Sequence, residues 1–120
     1  MTLRLLAFAS TLTLAQPVLA HEAAKGPNGG RVVDAGSYHI ELVAQGSDLA
    51  VFVTDESDKP VPAAGFKGTA ILMVGGKPQR IALEPQGVRL SGKAAAALPA
   101  EPKGAVQLTT PSGGTAQAKF

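Results

Sequence analysis

His21, His39 and Glu41 are the side chains of this chain whose types and spacing point most directly to chemistry, and that chemistry is metal ligation. The chain has two histidines and no cysteine, which excludes thiolate metal sites, thiol catalysis and disulfides. His39 and Glu41 stand two apart in Tyr38-His39-Ile40-Glu41. On a strand both leave from one face, where an imidazole and a carboxylate could hold a divalent ion or bond each other. His21 gains its interest from processing, described below. A histidine at a mature N-terminus offers its α-amino group and its ring Nδ1 to one ion through a small chelate ring. Such nitrogen pairs suit Cu(II) best in the divalent series. Both nitrogens lose their protons near neutrality, so binding weakens in mild acid. Glu22 could add an oxygen. A site of His21, His39 and Glu41 requires the N-terminal tail to fold back onto the strand that carries the other two.

Other constellations offer less. Asp55-Glu56-Ser57-Asp58 clusters acids but lacks the ligand spacing and glycine of a calcium loop, and reads as a solvated turn before Lys59-Pro60. Met73 reads as a core residue rather than a soft copper ligand. No G-x-S-x-G, H-E-x-x-H or P-loop is present, and no serine neighbours a histidine on a strand-to-helix elbow, so the chain is not expected to be an enzyme. Ten basic side chains remain after Arg4 is removed by the cut inferred below. They are scattered singly and balanced by nine acidic ones, for a net charge of +1. Nucleic-acid binding, which needs clustered Lys and Arg with interleaved aromatics, is excluded on that pattern.

The elements that must position these residues begin with an address. Arg4 closes a short basic start, Leu5–Leu14 is an apolar run too short to span a bilayer, and Ala15-Gln-Pro-Val-Leu-Ala20 ends with small residues at the −3 and −1 positions. That is a secretory signal peptide over 1–20, expected to be helical, with cleavage between Ala20 and His21 and a periplasmic destination. No later apolar run reaches about 20 residues, so no membrane insertion is expected after the cut. Residues 21–30 are rich in glycine and read as a flexible lead-in. Residues 31–120 form one domain of a size that buries a single core.

Within that domain, short apolar runs alternate with turn signals. Tyr38–Ala44, Leu49–Thr54, Thr69–Val74, Gln79–Glu84, Val88–Ser91, Ala105–Thr110 and Thr115–Phe120 are bounded by Gly, Pro, Asp and Ser. Gly75-Gly76 is the strongest hairpin signal, because a two-residue primed turn needs positive φ. Alternation places Ile40 and Leu42 on one face with His39 and Glu41 on the other, and likewise groups Leu49, Val51 and Val53, Ile81 and Leu83, and Ala116, Ala118 and Phe120 on shared faces. Lys93–Leu98 is alanine-rich but short and stopped by Pro99, so it reads as a loop with at most a helical turn. The pattern predicts an all-β protein, an antiparallel Ig-like β-sandwich of about seven short strands.

Three segments resemble one family together: Gly26-Pro-Asn-Gly-Gly-Arg-Val-Val33, Tyr38-His-Ile-Glu-Leu-Val43 and Val53-Thr-Asp-Glu-Ser-Asp-Lys-Pro-Val61. They resemble small exported proteins of Gram-negative bacteria that accompany heavy-metal efflux systems. They are also similar to the small β domain at the start of some cobalt-zinc-cadmium or copper-type efflux adaptors. The likeness runs from Gly26 to Val61 and implies a histidine inside the Gly-Pro-x-Gly-Gly segment, where this chain has Asn28. His39 and Glu41 fall on the matching strand. The expectation is a monomeric, non-enzymatic periplasmic accessory that binds or relays copper or zinc beside an efflux system, with an efflux adaptor as partner. The alternative is a metal-free interaction module that pairs an exposed strand edge with a partner protein.

Overall fold

A computed structural model describes residues 24–120. The expected signal helix over 1–20 and the candidate ligand His21 lie outside the described residues. Nine strands follow in order: β1 (Ala24–Lys25), β2 (Arg31–Ala35), β3 (Tyr38–Gln45), β4 (Asp48–Thr54), β5 (Lys67–Val74), β6 (Lys77–Gln86), β7 (Arg89–Lys93), β8 (Gly104–Thr109) and β9 (Thr115–Lys119). Among the described residues there is no helix. All pairings are antiparallel, as the strand rhythm predicts.

The expected sandwich of about seven strands differs from what is found. The strands form one continuous sheet in the order β1-β2-β3-β4-β7-β6-β5-β8-β9, curled into a half-barrel. The reason lies in β6, which is ten residues long. Its first part pairs with β5 from Lys77 to Leu83, and its end pairs with β7 from Glu84 to Gln86. One strand therefore joins the two halves that would otherwise be separate layers. Pro85 sits where β5 has already ended, so its missing N–H costs no ladder bond. The curl brings β2 near β9, where the Arg31 guanidinium lies 5.7 Å from the Phe120 ring centre and donates to the Pro102 carbonyl.

Alternation does the packing. Ile40, Leu42, Leu49, Val51, Val53 and Leu90 from one half face Ala70, Leu72, Ile81, Leu83, Val106 and Leu108 from the other, all buried. Phe66 closes one end, edge-on to Tyr38 at 5.8 Å between ring centres. Met73, expected in the core, is 42% exposed. Ala70 and Leu72 occupy the inward positions of β5, so the period of two sends Ile71 and Met73 outward. Four hairpins turn on two-residue loops beginning with glycine in the left-handed region: Gly36-Ser37, Gly46-Ser47, Gly75-Gly76 and Gly87-Val88. The alanine-rich segment after β7 is a loop. Ala94 and Leu98 donate their N–H groups to the Ser47 and Gly46 carbonyls, which strap it to the β3–β4 turn.

Candidate functional site

The outer face of β2, β3 and β4 carries the polar residues that alternate with this core. Register places Asp34 opposite His39, His39 opposite Thr54, Val32 opposite Glu41, and Glu41 opposite Phe52. Facing pairs project from the same side of a sheet. His39 and Glu41 therefore share a face, as their spacing predicts. That face lines an open cleft of about 940 Å³, together with Asn28, Asp58, Pro60 and Val88. The cleft is lined mainly by apolar groups and also by Ala24 and Lys25 of β1.

Glu41 is buried although it stands on the outward face. The loop from Gly26 to Gly30 covers it, so this part of the expected flexible lead-in is folded onto β3. Asn28 donates from its backbone N–H (2.9 Å) and its side-chain amide (2.8 Å), and Gly30 donates its N–H (2.9 Å), all to the Glu41 carboxylate. Three N–H donors on one carboxylate form a charge-assisted set that compensates its loss of water. Each oxygen of Glu41, expected to ligate a metal, accepts at least one of these hydrogen bonds.

The reason Glu41 is needed emerges from two other loops of the same build. Residues 26–30, 55–59 and 110–114 each close with the first N–H donating to the fifth carbonyl and the fourth N–H donating back to the first carbonyl. The fourth residue of each has positive φ: Gly29 at 81°, Asp58 at 61° and Gly113 at 90°. This geometry turns the third and fifth N–H groups inward, towards one acceptor. In the second loop the Asp55 carboxylate takes both, from Ser57 at 2.8 Å and Lys59 at 3.0 Å. In the third, the Thr110 hydroxyl takes the N–H of Gly114 at 3.1 Å. The first loop begins with Gly26, which has no side chain, and Glu41 enters from the neighbouring strand instead. A Cβ on Gly26 would lie 2.3 Å from the Glu41 carboxyl carbon, so glycine is required for that approach. The Asp55–Asp58 cluster is the turn that its composition suggests, built around Asp55.

His39 is held at both ring nitrogens. Its Nδ1 is 2.8 Å from Asp58 Oδ1, and its Nε2 is 3.3 Å from Asp34 Oδ1. The two carboxylates are largely exposed, while the imidazole is 30% exposed. The roles of Asp34 and Asp58 were not legible from the sequence. Asp34 reads as a turn residue, and Asp58 reaches His39 only because the loop 55–59 folds back over β3. Among the described residues, no group of three or more His, Asp or Glu side chains is arranged to hold a metal ion. Around His39 the reason is geometric: its carboxylates address opposite ring nitrogens and cannot converge on one point.

Comparison of the chain with protein-family models, with curated proteins and with solved structures gives no match.

Proposed function

We propose that this protein is an exported, non-enzymatic accessory that binds a divalent transition metal, copper or zinc, and hands it to an efflux system in the periplasm. The observation that carries the reading is the position of β1. Ala24 lines the same cleft as His39. His21 precedes Ala24 by three residues, a reach of about 10 Å at full extension. After cleavage at Ala20, its amine and ring nitrogen would be free to reach towards that cleft. In this reading His21 and His39 are ligands. Glu41 contributes by holding the loop that fixes β1 on the sheet, rather than by ligation. The efflux system and its adaptor rest on the resemblance over Gly26–Val61.

Calorimetry tests this on protein processed to begin at His21. Cu(II) or Zn(II) should bind near neutral pH, and one additional residue before His21 should weaken Cu(II) binding at least tenfold. Absence of any metal heat in the processed protein would refute the reading.

One observation favours the metal-free alternative. Of β2, only Arg31 and Val32 have partners on the β1 side among the described residues, so Val33–Ala35 could accept an added strand. A partner recovered equally well with and without chelator, and lost when Val33 is replaced by proline, would support that reading.

A further inference from the structure

We propose that Asp34 and the Nε2 of His39 form a two-point half-site for a divalent first-row metal ion, and that Asp58 is the positioning residue that aims the ring. This deepens the metal-binding reading and rests on it.

The argument starts from the two distances. At 2.8 Å, Nδ1 and Asp58 Oδ1 form a hydrogen bond in which Nδ1 carries the proton and the carboxylate accepts it. In the neutral ring, Nε2 is then a bare lone pair. It faces Asp34 Oδ1 at 3.3 Å. Two acceptors directed at each other attract only when a cation lies between them. That cation is either a second proton on the ring or a metal ion. The separation is compatible with a metal ion, because two ligands that each sit about 2.0–2.1 Å from one tetrahedral ion stand about 3.3 Å apart.

The surroundings fit a ligand set. Histidines that bind metals commonly give their other ring N–H to a carboxylate, which fixes the tautomer and raises the basicity of the ligating nitrogen. Asp58 is in that position. It holds a left-handed backbone conformation, φ 61°, that few non-glycine residues adopt. The backbone hydrogen bonds of loop 55–59 and the Asp55 carboxylate maintain it there. Asp34 and His39 are paired across β2 and β3, so the sheet sets their separation. Two protein ligands leave coordination positions open for water or a further donor.

The test uses Zn(II) and Cu(II) alone as probes, with two backgrounds: protein beginning at His21, and the same protein with one extra residue before it. Asp34→Asn, His39→Gln and Asp58→Asn are introduced into each. Asn tolerates the left-handed region, and Asp34 and Asp58 are largely exposed. Amide NMR spectra confirm the fold before metal is added. Asp34→Asn and His39→Gln should each weaken Zn(II) binding at least tenfold in both backgrounds. Asp58→Asn should weaken it about tenfold and shift the ring nitrogen resonances of His39 towards a mixture of tautomers. Unchanged Zn(II) affinity in Asp34→Asn overturns the half-site. If Cu(II) binding in that variant still depends on the free His21 terminus, the broader metal reading stands without it. If no form of the protein binds either ion, both fall together.

Discussion

Glu41 occupies its predicted position on the outer face of β3 and there accepts three hydrogen bonds. Its place on the outer face of β3 made it a candidate ligand, and the same place makes it the acceptor for Asn28 and Gly30. Removing a buried acceptor leaves its donors without partners, at about 1–3 kcal/mol. Glu41→Ala should therefore lower stability by about 2–3 kcal/mol in chemical denaturation. The loops at 55–59 and 110–114 point to a repair. Gly26→Asp combined with Glu41→Ala would restore an acceptor inside the first loop, as Asp55 does in the second. The double variant should recover most of the loss. Gly26→Asp alone should destabilise, because its Cβ would meet the Glu41 carboxylate and its charge would oppose it. A double-mutant cycle with a coupling below about 0.5 kcal/mol would show that the two positions are independent.

Among the elements, β6 decides the architecture. Its length lets it leave β5 and join β7, and the junction is tight. A Cβ on Gly92 of β7 would lie 2.7 Å from the Ala82 carbonyl oxygen and 2.7 Å from a methyl group of Ile81. The near atom includes backbone, which cannot rotate away. Gly92→Ala should cost about 1–3 kcal/mol through overpacking, measured by urea denaturation. Gly36→Ala, in an open turn with nothing within 4 Å of the added Cβ, serves as the comparison. Its cost comes from positive φ alone, at about 1 kcal/mol. Equal losses at the two positions would mean that β6 and β7 do not approach closely.

At the scale of the whole molecule, the curl of the sheet depends on what joins its ends. Arg31 of β2 reaches the Pro102 carbonyl and lies over Phe120, so one side chain bridges the first and last parts of the described chain. Arg31→Ala should cost about 1–2 kcal/mol, combining a charge-assisted hydrogen bond with a partly exposed cation–π contact. Amide exchange should rise first in β9, whose only strand partner among the described residues is β8. Uniform acceleration across all strands would argue against a local seam. Metal binding also acts at this scale. If the folded protein binds Zn(II) and the unfolded chain does not, a hundredfold excess over Kd should add about 2.7 kcal/mol and raise Tm.

Periodicity and turn chemistry were enough to predict the antiparallel strands, the alternating faces of β3, β4, β6 and β9, and the shared face of His39 and Glu41. These are local properties, governed by a two-residue repeat and by glycines that turn the chain where positive φ is needed. Three matters were decided only in the folded molecule. β6 bridges two halves into one curled sheet, since strand partners are chosen by packing among segments distant in sequence. Glu41 is consumed by the loop 26–30, since the missing side chain of Gly26 leaves inward N–H groups that only a neighbouring strand can satisfy. Asp58 meets His39 across 19 positions of sequence because the loop 55–59 folds back over β3. No spacing rule anticipates that contact, because its distance is set by the sheet and the loop together.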